Sequence, residues 1–224
     1  MARKGDPETN ACRLVVLGGS KGGCGRSTIS RNLLVAAGQD GLKAIGFDLD
    51  EQGTFRRWSE RRAKARETLS QIIPTTVVQS IPSGWQSLIE QMAGYQVAVV
   101  DTAPGVEHDM GAMLELCRRA ALVLVPTSPT TDDLESVIPW FRNLAASGAR
   151  SAFVLNKANR RTKSYVAARA MLIRQGALAP VEIAALEDIS TPHGSGLAAM
   201  DYEKSKGADA MADLWAYVKQ EVRL

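Results

Sequence analysis

The segment Gly18-Gly-Ser-Lys-Gly-Gly-Cys-Gly-Arg-Ser-Thr28 constrains this chain more than any other. Apolar Leu14, Val15, Val16 and Leu17 run into it as a short buried strand. Behind it, Ile29, Leu33, Leu34 and Ala37 fall on one face of a helix that stops near Gly38 or Gly41. A glycine-rich turn between strand and helix can aim successive backbone N–H groups at one point, and the helix adds the positive end of its dipole there. Those are the parts of a phosphate cradle. In the common pattern Gly-Lys-Ser/Thr closes the turn, with the lysine on the β- and γ-phosphates and the hydroxyl on Mg²⁺. Here Ser27 supplies the hydroxyl, but Arg26 stands at the lysine position. A second cation, Lys21, sits five residues upstream, inside the loop.

The remainder of the chain alternates strands with helices. Expected strands after Leu14–Leu17 are Ala44–Phe47, Thr76–Gln79, Val97–Val100, Leu122–Pro126, Ala152–Leu155 and Val181–Ala184. Several are continuous apolar runs, as strands buried on both faces require. Helices are expected over Phe55–Thr68, Trp85–Met92, Gly111–Ala120, Leu134–Ser147, Tyr165–Gln175 and Asp209–Val222. This order predicts an α/β fold, a doubly wound and mainly parallel sheet with helices on both faces, its ligand at the strand C-terminal ends. Residues 1–12 read as a loose tail and 13–224 as one domain, a length that can bury a sizeable core.

Residues 21–28 follow Lys-Gly-Gly-x-Gly-Lys-Ser/Thr-Thr at every position except Arg26. That is the deviant Walker A pattern of the ParA/MinD superfamily of P-loop ATPases, which this chain resembles. Phe47-Asp-Leu-Asp-Glu-Gln-Gly53 is similar to the family's second motif, with Glu51 where proline is common. Val97-Ala-Val-Val-Asp-Thr-Ala-Pro-Gly105 is similar to its Walker B strand and switch segment, and Val154-Leu-Asn-Lys157 to the strand end that flanks the adenine. The length, and the lack of an N-terminal helix-turn-helix, look most like the small plasmid-partition proteins of the ParF type.

The resemblance implies a site for ATP and Mg²⁺. Lys21, Gly22, Gly23, Cys24, Gly25, Arg26, Ser27 and Thr28 would line the phosphates, and Asn156 and Lys157 the base. Ser27 would bind Mg²⁺ directly, with Asp48 and Asp101 holding its waters, since this ion usually keeps several. Strand alternation puts Asp48 and Asp50 on one side, and the family's water-positioning role falls to Asp50. Read without the resemblance, the same two carboxylates could cap a following helix. Lys21 would cross the interface of an ATP-sandwiched homodimer, so the catalytic pair implied is Lys21 and Asp50. Arginine is a wide planar fork where lysine is a compact charge, so Arg26 predicts nucleotide binding with slow turnover.

A net charge of +3 is modest, but its cations cluster. Lys157, Arg160, Arg161 and Lys163 fall within seven residues that contain no acid; Lys204 and Lys206 form a second group. Family members bind DNA without sequence preference, so Arg160, Arg161, Lys163, Lys204 and Lys206 are the candidates here, and such binding would weaken with salt. Arg56, Arg57, Arg61, Arg62, Lys64 and Arg66 read equally as a second basic face or as a solvated helix. A ParB-like adaptor or other cargo protein would stimulate hydrolysis. No apolar run reaches membrane-span length and residues 1–12 are polar, which predicts a cytoplasmic, nucleoid-associated protein. The apolar stripe Leu214, Trp215, Val218 and Val222 reads as domain packing ahead of a membrane tail. Cys12, Cys24 and Cys117, with His108 and His193, have no metal-ligand spacing. Two alternatives remain: a nearly inactive ATP-sensing module, and a metabolic P-loop enzyme of the same fold.

Overall fold

The computed structural model describes residues 11–105 and 109–224. Residues 1–10 of the expected tail, and His108, lie outside them. Cys12 is half-buried and packs against the core directly before the first strand.

One seven-stranded sheet carries the molecule. Its strands, in chain order, are β1 (Arg13–Leu17), β2 (Ala44–Asp48), β3 (Val77–Gln79), β4 (Val97–Asp101), β5 (Leu122–Thr127), β6 (Ser151–Ala158) and β7 (Leu178–Ala184). Their spatial order is β3-β2-β4-β1-β5-β6-β7, and every pairing is parallel. All seven expected strands are present, most of them extended by a residue or more.

The helices are α1 (Arg26–Gln39), α2 (Thr54–Ala65), α3 (Trp85–Gln91), α4 (Met110–Arg119), α5 (Thr131–Ala146), α6 (Lys163–Gln175), α7 (Glu187–Ser190) and α8 (Lys206–Val222). Strand periodicity sorts the core into two layers. Leu14 and Val16 of β1 join Val123 and Val125 on the face covered by α3 to α6, while Val15 and Leu17 join Leu122 and Leu124 under α1 and α8. Leu214, Trp215, Val218 and Val222 are buried in that second layer, so the α8 stripe packs on the domain. Asp40, just past α1, accepts from Trp215 Nε1 at 2.8 Å and Lys219 Nζ at 2.6 Å and pins the two helices together.

This topology places the site. Pairing aligns Leu17 with Asp101 and Asp48 with Asp101, so the ends of β1, β4 and β2 finish side by side. The loop after β1, the segment after β4 and the turn after β2 therefore open onto one edge.

Candidate nucleotide site

A cleft of about 710 Å³ lies along that edge, within the range of small-molecule pockets. One end is formed by Gly22 to Thr28, the other by the start of α7 and the 3-10 turn Pro192–Ser195; Asp50, Asn156, Lys157 and Arg31 line the walls. Gly23 and Gly25 have φ of 75° and 100°, which glycine tolerates and which turn the loop toward the head of α1. No backbone carbonyl of the described residues accepts from the N–H groups of Gly25 to Thr28. These are the orphan donors of a helix start, open to an anion.

Arg26 is buried and folded back into its own loop. Nε donates to Thr102 O at 2.9 Å, and Nη1 to Lys21 O at 2.6 Å, Gly19 O at 3.3 Å and Cys24 Sγ at 3.2 Å. The guanidinium thus ties the loop to the first residue of the switch segment. Thr102 Oγ1 in turn donates to Leu17 O at 2.8 Å.

Lys21 belongs to the loop but does not line the cleft. It turns toward α5, where Nζ meets Asp133 Oδ1 at 2.9 Å, with the lysine side chain 45% exposed. That hydrogen bond raises the Lys21 pKa. Asp133 is itself held by Ser128 Oγ, and Thr130 caps the helix that carries it.

The acidic candidates divide. Asp101 is fully buried at the end of β4, and neither of its carboxylate oxygens has a hydrogen-bond partner among the described residues; nor does Ser30 Oγ on α1. Burial pushes Asp101 up to about 7, opposed by the Ser27 hydroxyl, reinforced by the charge of Asp48 and opposed again by Arg26 and Ser30. Two orphaned carboxylate oxygens beside a hydroxyl fit a hydrated hard cation. Asp48 is engaged otherwise. Oδ1 accepts from Asp50 N at 3.1 Å and Oδ2 from Arg56 N at 2.9 Å, so its carboxylate anchors the start of α2. Its pKa is raised, chiefly by burial. Helix anchoring, the alternative for this pair, is what Asp48 does; the Asp50 carboxylate accepts from Gln52 N at 2.9 Å, and the residue lines the cleft.

Asn156 and Lys157, expected at the base, brace the phosphate loop. Asn156 Nδ2 donates to Cys24 O at 2.7 Å and Lys157 Nζ to Gly23 O at 2.9 Å. Among the basic candidates, Arg160 pairs with Glu182, which also accepts from Tyr165. Arg161, Lys163, Lys204 and Lys206 are exposed. The row on α2 is not a free basic face. Arg62 is wholly buried, donating to both Asp201 oxygens at 2.6 and 2.8 Å, and Arg61 donates to His193 O at 3.1 Å. Trp58 Nε1 adds a bond to Leu197 O at 3.0 Å, and a Cβ on Gly196 would lie 2.5 Å from Arg62 N. The sequence reading missed Arg31, Asp133 and the Pro192–Ser195 wall. Cys117 is fully buried, and no group of metal-ligating side chains occurs among the described residues. No helix among them is long and apolar enough to cross a membrane.

The chain is similar to known proteins. The family described as ATPase MipZ matches residues 13–113. A maintenance of carboxysome distribution protein A from Gloeobacter kilaueensis is 27% identical over 158 residues, 70% of this chain and 68% of that protein. The septum site-determining protein MinD of Pyrococcus horikoshii, solved with Mg-ADP, superposes with a TM-score of 0.74 at 21% identity, covering 93% of this chain and 96% of that one. A plasmid partition protein from Borrelia burgdorferi gives a TM-score of 0.70 at 11% identity over 94% and 99%. These relatives reach beyond the plasmid-partition type that the sequence most resembles. Residues 13–113 thus match a MipZ-type family model, and the sheet as a whole has the P-loop fold seen in MinD and the partition proteins.

Proposed function

We propose that residues 13–224 form a partition-type ATPase domain. ATP binds in the cleft, two loaded copies associate face to face, and the pair binds duplex DNA without sequence preference. Slow hydrolysis, stimulated by an adaptor on the cargo, then releases them. The observation that carries this reading is Lys21: a cation inside the phosphate loop that points out of its own cleft and is half exposed. In the proposed dimer such a residue would meet a second subunit's nucleotide rather than its own.

The residues divide the work as follows. The open N–H groups of Gly25 to Thr28 bind phosphate. Ser27 and Asp101 would hold Mg²⁺ and its waters, with Asp48 adding its charge; the bound ion neutralises developing phosphate charge. Asp50, lightly held at the cleft wall, orients the attacking water. Asn156 and Lys157 keep the loop in register with β6. Since Arg160 is paired, DNA contact falls on Arg161, Lys163, Lys204 and Lys206.

Arg26 favours a second reading, a nucleotide-sensing module with little turnover, because its guanidinium is consumed by four bonds within the loop and switch. The two readings separate in one experiment. Light scattering and binding to random-sequence duplex DNA are measured with ATP–Mg²⁺ and ADP–Mg²⁺ at two salt concentrations, alongside phosphate release. An ATP-only dimer with salt-sensitive DNA binding and measurable release supports the partition ATPase. The same dimer without release supports the sensor. A monomer that ignores both ATP and DNA overturns both.

A further inference from the structure

Arg31 lies on α1, one turn beyond the phosphate loop, and is 4% exposed. Its Nη2 donates to Thr28 Oγ1 at 2.6 Å, and its side chain lines the cleft between Thr28 and the wall that carries Ile189 and His193. No carboxylate lies within ion-pair distance of it among the described residues. Of the charges that act on it, Asp101 attracts and Arg61 repels. Burial lowers its pKa to about 10, a direction that reports a cation short of compensation.

A buried, charged guanidinium held by one hydroxyl is costly unless an anion completes it. The cleft it borders is where such an anion would arrive, beside backbone donors that also await one. The planar fork suits the oxygens of a phosphate group, which it can bind bidentately. If the loop Gly22 to Ser27 holds the outer phosphates of a bound nucleotide, Arg31, past Thr28, falls toward the sugar side of the chain.

We propose that Arg31 is a nucleotide-binding residue that recognises the phosphate nearest the ribose. This rests on the cleft being a nucleotide site. It adds a cation on α1 to the phosphate contacts of the loop, one that is used equally by the di- and triphosphate. Arg26, turned into the loop, leaves that charge unsupplied from its own position.

The test is calorimetric titration of the intact protein with ADP–Mg²⁺ and ATP–Mg²⁺, comparing wild type, Arg31→Met and Arg31→Lys, with the melting temperature of each ligand-free protein. The expected result is a loss of roughly tenfold or more in affinity for both nucleotides, by the same factor, in Arg31→Met, with partial recovery in Arg31→Lys. The ligand-free melting temperature of Arg31→Met should stay level or rise, because an uncompensated buried charge is gone. Unchanged affinities in Arg31→Met, or a loss confined to ATP, overturn the inference. So does a ligand-free melting temperature several degrees lower, which would make Arg31 a structural residue. If the wild type binds neither nucleotide, the nucleotide reading itself fails and this inference falls with it.

Discussion

Lys21 Nζ and Asp133 Oδ1 lie 2.9 Å apart, joining the phosphate loop to the first turn of α5. The lysine is half exposed, so solvent screens the pair and it contributes little to stability. A link this weak holds Lys21 in the single subunit yet releases it for a stronger anion. Asp133→Asn should therefore tighten ATP-dependent self-association, roughly up to fivefold per subunit. Lys21→Ala should abolish the ATP dimer while ADP still binds. Light scattering across a concentration series reads both; an unchanged dimer in Lys21→Ala would contradict the sandwich.

Arg26→Lys should raise ATP turnover by between ten- and a hundredfold, on the order expected when a misplaced group regains its position. A flat or lower rate would show that the arginine is no handicap. Arg26→Ala tests the structural side. It strips donors from Thr102 O and Lys21 O, and should cost roughly 1–3 kcal/mol in a denaturant titration of the ligand-free protein.

Asp101 should leave a pH signature. Its ordinary value is 3.8 and burial raises it to about 7 in the fold. Between those values the folded chain keeps a proton that the unfolded chain has lost, so stability falls as pH rises, by roughly 1.4 kcal/mol per pH unit. Below the window the contribution is fully present; above it, it is gone. Asp101→Asn should thus melt higher than wild type at pH 8, with the gap closing toward pH 4. The same variant should lose Mg²⁺-dependent strengthening of nucleotide binding. A melting-temperature gap that does not change with pH would refute the assignment.

Gly25→Ala should unseat the brace on the loop. Its φ of 100° is strained for alanine, and the added Cβ would lie 2.1 Å from Asn156 Nδ2, the atom that holds Cys24 O. A destabilisation of roughly 2–4 kcal/mol is expected in chemical unfolding, together with weakened ADP binding. Normal stability and affinity would mean that the loop can relax around the methyl group.

The sheet and the phosphate loop were legible because their signals are local. Continuous apolar runs mark β1, β4 and β5, and Gly23 and Gly25 sit where the turn needs positive φ. What stayed hidden depends on contacts across the chain. Asn156 reads as a strand-end residue until its partner Cys24, 132 positions away, is in place. Arg62 looks like one more surface cation in a basic run; only the return of Asp201 against α2 buries it. Arg31 escaped because a helix-face reading counts apolar positions and treats an arginine among them as solvent-facing. The four-residue α7 has too few turns to show any periodicity.

The buried bond of Arg62 to Asp201 has a mechanical consequence. With Trp58 on Leu197 O and Arg61 on His193 O, it welds the helix that follows Asp50 to the far wall of the cleft. Moving one without the other would break these bonds. In the proposed ATPase, a pull on Asp50 toward a terminal phosphate would also drag the wall that carries His193, and a nucleotide leaving past that wall would tug on the turn at Asp50. One lever would then serve both ends of the ligand, gearing chemistry at the phosphates to escape of the product.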